Sequence, residues 1–344
     1  MQALQKTAPA FGLELRDVPP PPPPGPGEVT VAVAAAGVCG TDVHIYEWTP
    51  GYEAMTTAMP VTLGHEFAGT IAAVGADVRG LDAGTVVAVR PSVVCGRCAA
   101  CTAGNPDGCT QRKGMGVTRD GGLASLVNVP ADNCVRAPID LDTHLVALTE
   151  PMTVSAEAVA TAEVLAGDRV LVLGPGNIGQ GAALFARAAG AAQVVVVGKD
   201  DAPRLHVLKQ MGFDDVVDAG PRPLADALAP YLEHGKFDVV IEATGVPAVV
   251  QPALGVLRKR GILVIAGIHP APVAIDLTRL VREHQQIRGT YRAPVATWAR
   301  VIAFLDAHGA TVRHMITHTV PLAHAQEAFA MARSKVASKV LILP

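Results

Sequence analysis

Four aliphatic residues, Val170 to Leu173, run directly into Gly174-Pro175-Gly176-Asn177-Ile178-Gly179, and a helix-like stretch, Ile178 to Ala189, follows at once. A G-x-G-x-x-G sequence alone is common. Between a strand and a helix, its backbone amides and the helix dipole form a receptacle for a pyrophosphate. The chain downstream agrees with a dinucleotide-binding unit: Val194 to Val197 reads as a strand, Arg204 to Met211 as a helix, and Val216-Val217, Asp238 to Ile241 and Ile262 to Ala266 as further strands. Aliphatic runs alternating with helices imply a doubly wound parallel sheet covered on both faces.

Before Glu150-Pro151 the texture differs. Val29-Thr30-Val31-Ala32-Val33, Ala68 to Val74, Val86 to Val89 and Leu123 to Val129 are short β-branched runs parted by Gly, Pro and Asp, which predicts a β-rich, barrel-like domain. The proline run Pro19 to Pro24 lies between two expected strands and ends in Gly-Pro-Gly, so it reads as a stiff surface loop rather than a recognition peptide. A chain of 344 residues accommodates two domains, and 50% hydrophobic content with 17% charge excludes a disordered chain. Lys+Arg number 28 against 31 Asp+Glu, a net charge of -3 with no basic stripe, so no nucleic-acid partner is expected. Met1 to Leu15 lacks a basic segment followed by an apolar core, and the apolar stretch Ala182 to Gly198 is broken by Arg187 and Gly190. Neither an export signal nor a membrane span is predicted.

Cysteine usage adds a metal. Cys95, Cys98, Cys101 and Cys109 follow C-x2-C-x2-C-x7-C, close enough for four thiolates to surround one tetrahedral zinc. The plain alternative is four unrelated buried cysteines, and their clustering in one glycine-bearing loop argues against it. A site closed by four thiolates has no open coordination position, so its expected role is to order the lobe. A nucleic-acid-binding zinc ribbon would split its ligands into two distant pairs among basic residues, whereas only Arg97, Arg112 and Lys113 lie nearby. Cys39 stands in a second ligand-like setting. The six cysteines thus suit a reducing compartment better than a disulfide framework, with Cys134 left as a packing residue.

In order along the chain, Pro24-Gly25-Pro26-Gly27-Glu28-Val29, Gly37-Val38-Cys39-Gly40-Thr41-Asp42-Val43-His44, Gly64-His65-Glu66-Phe67-Ala68-Gly69, the cysteine lobe, Glu150-Pro151, the glycine loop and Lys339-Val340-Leu341-Ile342 are present. Together they resemble the zinc-dependent medium-chain alcohol dehydrogenases, particularly the branch holding sorbitol (L-iditol) dehydrogenase and L-threonine 3-dehydrogenase. The likeness spans nearly the whole chain. It implies an α/β fold: a GroES-like β-rich catalytic domain at 1–150 and 291–344, with a structural zinc lobe at 95–109, and a Rossmann doubly wound parallel sheet at 151–290.

The resemblance also implies roles. In that family the residues matching Cys39 and His65 hold a catalytic zinc, and in the sorbitol-dehydrogenase-like branch a carboxylate, matched by Glu66, completes the set. Glu150 stands where simpler alcohol dehydrogenases carry a second cysteine, to bind zinc directly or through its water. Thr41 and His44 match a relay that carries the alcohol proton through the cofactor ribose to solvent. Read as residues alone, Thr41 and His44 also suit a turn, and Asp42 is assigned a structural part. Tyr46, with Trp48, resembles threonine dehydrogenase, and Arg292 in Gly289-Thr290-Tyr291-Arg292 resembles a Gly-x-x-Arg stretch of sorbitol dehydrogenase. Both are candidate substrate contacts.

Gly174, Gly176, Asn177, Ile178 and Gly179 are expected around the pyrophosphate. The cofactor type is more finely balanced. An acid directly after the second Rossmann strand would hold the ribose diol of NAD, but Val197 is followed by Gly198 and Lys199, then Asp200, with Arg204 nearby. Lys199 and Arg204 suit the 2'-phosphate of NADP, Asp200 suits NAD, and the cost of a carboxylate beside a phosphate tilts the expectation to NAD. Thr244, Gly267 and Ile268 match positions that line the cofactor and equally suit strand-end turns. The expected activity is hydride transfer from a secondary alcohol of a polyol, sugar or 3-hydroxy amino acid to NAD(P), with two zinc ions per chain. A cytoplasmic homo-oligomer is expected, a tetramer by resemblance. The rivals are a simple alcohol dehydrogenase and a zinc- and nucleotide-binding module without chemistry, against which the intact Cys39, His65, Glu66, Thr41 and His44 argue.

Overall fold

The short β-branched runs of the first 150 residues become strands in the computed structural model, which describes Met1–Pro344. They are β1 (Gln2–Lys6), β2 (Glu14–Asp17), β3 (Glu28–Gly37), β4 (Val61–Thr62), β5 (Glu66–Val74), β6 (Val86–Val89), β7 (Ser92–Val93), β8 (Lys113–Gly114), β9 (Leu126–Pro130) and β10 (Cys134–Arg136). Three helices join them: α1 (Gly40–Glu47), α2 (Ala99–Thr102) and α3 (Thr143–Val146). A fourth, α4 (Thr149–Thr161), begins Thr149-Glu150-Pro151; proline is tolerated in a first turn because its missing N–H would have no partner there.

The expected parallel sheet follows, built from β11 (Arg169–Leu173), β12 (Gln193–Gly198), β13 (Val216–Asp218), β14 (Phe237–Glu242), β15 (Leu257–Ile265) and β16 (Gln286–Gly289). Its order is β13-β12-β11-β14-β15-β16 and every neighbouring pair is parallel. This order reverses between β11 and β14, the switch point at which doubly wound sheets open a ligand crevice beyond their strand ends. Helices α5 (Asn177–Ala188) and α6 (Ala202–Gln210) are among the crossovers. β15 begins five residues before the aliphatic run that announces it, because Leu257-Arg258-Lys259-Arg260-Gly261 enters the ladder with Arg258 paired to Asp238. The chain ends with β17 (Ile316–Pro321) and β18 (Lys339–Leu343).

These elements form two units: Met1–Glu150 with Ile302–Gly309 and Ile316–Pro344, and Pro151–Val301 with Ala310–Met315. In the first, a seven-stranded sheet runs β10-β6-β5-β3-β18-β17 with β9 also on β3, and a three-stranded sheet runs β2-β1-β4. Val31, Phe67, Val87, Val129, Phe329 and Ile342 belong to its core. At roughly 1.5–3 kcal/mol per large side chain removed from water, this core is its main source of stability. The N-terminal hairpin β1–β2 had no aliphatic signature, and Lys6 within it is fully buried. The Lys6 ammonium donates to the carbonyls of Ala10 and Gly12 and sits 5.2 Å from the Trp48 ring centroid, so its charge is satisfied without water. In the second unit, Leu171, Val195, Phe237, Val240 and Leu263 fill the sheet's interior. No helix is long and apolar enough to cross a membrane.

Candidate functional site

Strand β3 ends at Gly37 and α1 starts at Gly40, so Cys39 stands where the chain leaves the sheet and caps the helix. Its backbone N–H donates to Asp42 Oδ2 at 2.9 Å, which satisfies a helix-start donor with an acid of the first turn. Asp42 is wholly buried, and its other oxygen faces His65 Nδ1 at 3.5 Å, with neither atom bonded elsewhere. His65 is placed by close backbone approach. A Cβ on Gly121 would lie 2.0 Å from the Gly64 carbonyl oxygen, which accepts instead from the Gly122 N–H at 2.9 Å.

Glu66 opens β5 directly opposite Gly37. A side chain at Gly37 would overlap the Glu66 carboxylate and crowd Lys339, so glycine is required by close approach here. Lys339, at the start of β18, is 3% exposed; its Nζ donates to Val38 O at 3.0 Å and to Glu66 Oε2 at 2.5 Å. Burial and the Glu66 carboxylate push the Cys39 thiol up, against His65 and Lys339. For His65, burial opposes the charged form, yet Asp42 and Cys39 outweigh it and hold the imidazole well above its ordinary range. Burial likewise opposes the Lys339 ammonium, and Glu66 and Cys39 raise it.

The ligand atoms of Cys39, His65 and Glu66 lie within 4.8 Å of one another. Thiolate, imidazole and carboxylate form a zinc-type donor set, and a divalent cation there would displace the protons of Cys39 and His65. With Nδ1 turned to Asp42, Nε2 is left as the ligand nitrogen, the arrangement in which a carboxylate fixes a metal-binding tautomer. Glu150, second residue of α4 and half-buried, lies outside this close set. Burial, with Glu66 and Asp42, raises its carboxyl to about 7, against His65 and Lys339.

On α1, Thr41 is half-buried and His44 exposed, and the Thr49 hydroxyl lies 3.3 Å from His44 Nδ1. Tyr46 is engaged otherwise: its ring packs edge-on against Phe11 (4.7 Å) and stacks with Phe329 (5.3 Å), with the Arg333 guanidinium alongside. Arg292, in the second unit, lies over the ring of the exposed Tyr291 at 4.6 Å. Asp42 and Lys339 are the site residues whose roles sequence reasoning missed. The signal for Asp42 was its place three residues after a ligand-like cysteine; Lys339 had none beyond its strand motif.

In the lobe, the four cysteine sulfurs also lie within 4.8 Å of one another. All are free, and Cys95 Sγ and Cys101 Sγ are 4.0 Å apart, twice a disulfide bond length. Backbone N–H groups of Cys95 and Cys98 point at Cys109 Sγ and Cys95 Sγ, each at 3.4 Å. The backbone N–H groups of Cys101 and Thr110 pull the Cys98 thiol down to about 5, while burial and neighbouring thiols push Cys101 up to about 12. Donors aimed at sulfur stabilise thiolates, as a closed metal site requires.

In the second unit the glycine loop is as tight as its sequence suggests. Gly174 has φ +105°, a Cβ on Gly179 would collide with the Gly174 carbonyl, and Gly176 caps α5. Behind the second strand, Asp201 is 4% exposed and held bidentately by Arg204, whose guanidinium also lies 3.4 Å from where a Cβ on Gly176 would sit. Arg204 is therefore partly neutralised from within, which sequence reading did not anticipate. Asp200 is exposed, in a left-handed backbone (φ +52°), with its N–H donated to Asp218 Oδ1 at 2.9 Å. Lys199 is exposed beside it. Thr244 and Gly267-Ile268 follow β14 and β15.

Known proteins match both halves of this description. Residues 25–139 match the alcohol dehydrogenase GroES-like domain and residues 177–307 the zinc-binding dehydrogenase domain. The chain is 34% identical over 346 residues to an L-threonine 3-dehydrogenase of Bacillus subtilis (strain 168), covering 100% of this chain and 99% of that one. Among solved structures, a putative zinc-binding dehydrogenase from Sinorhizobium meliloti 1021 bound to NADP superposes with a TM-score of 0.86 at 30% identity, over 100% of this chain and 99% of that one. An alcohol dehydrogenase from E. coli CFT073 complexed with NADH gives 0.87 at 28%, over the same shares.

Proposed function

The chain belongs to the zinc-binding alcohol dehydrogenase family, and on that premise we propose that it oxidises the secondary alcohol of a 3-hydroxy amino acid, polyol or sugar with NAD(P) as hydride acceptor. The observation that carries this reading is the mutually close set of half-buried Cys39 with buried His65 and Glu66, and Asp42 and Lys339 behind it. Full-length similarity to L-threonine 3-dehydrogenase favours the 3-hydroxy amino acid. When bound, zinc supplies Lewis acidity toward the alcohol oxygen and the dinucleotide supplies the hydride acceptor.

The residues of the chain do the rest. Cys39, His65 and Glu66 would hold the metal, Asp42 orients the imidazole, and Lys339 offsets the charge of Glu66. Glu150, at the start of α4, would bind the metal directly or through its water. Thr41 and His44, three positions apart on α1 and so neighbours on one face, carry the alcohol proton toward solvent. The four-cysteine lobe holds a second, structural zinc. NAD is the preferred cofactor because Asp200 is exposed and unpaired by arginine, whereas Asp201 is consumed by Arg204. The free thiols suit a reducing compartment such as the cytoplasm, and a homo-oligomer, tetrameric by family, is the proposed assembly.

The test is reduction of NAD and NADP, followed at the nicotinamide absorbance, across L-threonine, a set of polyols and simple alcohols. Turnover restricted to simple primary alcohols would overturn the substrate class, and no turnover with zinc-replete protein would overturn the activity.

A further inference from the structure

Glu242 is the last residue of β14, in the unit that carries the glycine loop, and its side chain is completely buried. Its Oε1 accepts from the backbone N–H groups of Thr244 at 2.6 Å and Gly245 at 3.0 Å, and from the Thr244 hydroxyl. Its Oε2 lies 3.0 Å from His269 Nε2. The backbone carbonyl of the same residue accepts from the N–H groups of Ala266 and Gly267, at 2.8 and 3.0 Å. One residue therefore ties the loop leaving β14 to the loop leaving β15.

The two loops meet without slack. A Cβ on Gly245 would lie 2.4 Å from the Ile268 carbonyl oxygen, and one on Gly267 would lie 2.2 Å from the Gly245 nitrogen. On the far side, Thr244 Cγ2 abuts Gly174, where a Cβ would stand 2.9 Å away. A buried carboxylate is costly unless donors converge on it, and four converge here. An apolar residue would hold two strands together without that cost. The position matters as well: the loops lie past the carboxyl ends of parallel strands, on the side where such sheets receive ligands. His269 is mostly buried, and its Nδ1 has no partner in the protein.

We infer that Glu242 and His269 are positioning residues for the dinucleotide: they lock the strand-end loops 243–246 and 266–269 against Gly174, so that Thr244 and Ile268 meet the nucleotide in a preset geometry. The inference rests on the dinucleotide reading of this unit. A preset loop avoids an ordering cost at the moment of binding, so its loss weakens the cofactor rather than the chemistry. Glu242→Ala leaves four donors without an acceptor. Glu242→Gln keeps an oxygen for Thr244 and Gly245 and offers an N–H to His269 Nε2, which accepts it once the ring proton moves to the unpartnered Nδ1.

The experiment is equilibrium titration of zinc-replete protein with NADH by fluorescence, with the thermal midpoint and zinc content measured on the same samples, followed by steady-state kinetics. Wild type binds NADH saturably; failure to bind either NADH or NADPH overturns the dinucleotide reading and the inference with it. Glu242→Ala weakens NADH roughly tenfold or more, and Glu242→Gln recovers most of the loss. KM for the cofactor rises with the dissociation constant while kcat at saturating cofactor stays within about threefold. Should Glu242→Ala not fold, His269→Ala decides, with an expected weakening of about three- to tenfold. A dissociation constant within twofold of wild type in every folded variant, with binding intact in wild type, overturns the positioning role alone.

Discussion

Lys339 and Glu66 lie 273 residues apart in sequence and form an ion pair whose side chains are 3% and 2% exposed. Removing one member strands the other in a medium that cannot solvate it. Lys339→Met is therefore expected to lower unfolding free energy by about 3–5 kcal/mol, read from denaturant midpoints, with Glu66→Gln in the same chain restoring part of the loss. The relay makes a different prediction at this scale: His44→Ala slows alcohol oxidation most at low pH, where hydroxide cannot substitute, and leaves zinc content unchanged. An unaltered pH profile, measured with chemistry rate-limiting, would remove His44 from the path. Cofactor choice turns on two neighbours. Asp200→Ala is expected to weaken NAD and improve NADP, and Lys199→Ala to weaken NADP, each shifting the kcat/KM ratio by roughly 1 to 3 kcal/mol.

Among elements, the end of β3 and the cysteine lobe should fail separately. Gly37→Ala pushes a methyl group into the Glu66 carboxylate, so metal analysis should find the Cys39 site depleted and the lobe still loaded. Cys98→Ser should do the reverse, lowering the thermal midpoint while turnover per remaining folded molecule persists. Much of the fold was legible at this scale, because the β-branched runs and the strand–glycine loop–helix passage each carry a local pattern. Both the β-rich first unit and the doubly wound parallel sheet of the second follow from such patterns, whereas the strand order β13-β12-β11-β14-β15-β16 does not. What was not legible is held by specific side-chain contacts, local and long-range alike, that leave no periodic pattern. The buried Lys6, the polar opening of β15, the Asp201–Arg204 pair and the Glu242–His269 tie depend on atoms brought together only by folding. Tyr46 shows the converse: a local motif suggested a substrate contact, while the fold surrounds its ring with Phe11, Phe329 and Arg333.

For the molecule as a whole, the two units differ in how the chain supplies them. The parallel sheet comes from one nearly continuous stretch, whereas the first unit's sheet inserts β18 beside β3, with Leu341 opposite Gly37. All four lobe cysteines, Cys39 and His65 belong to the early part of the chain, but Lys339 is decoded 273 residues after Glu66. At translation rates of about 5–20 residues per second, that separation lasts roughly 15 to 55 s. Through most of it all four lobe cysteines are already synthesised, while the Cys39 cluster still lacks the lysine that balances Glu66. Metal loading of the two clusters would then be ordered in time by synthesis itself, and a ribosome that stalls before β18 would hold a chain with the lobe cysteines complete and the Cys39 cluster without its lysine.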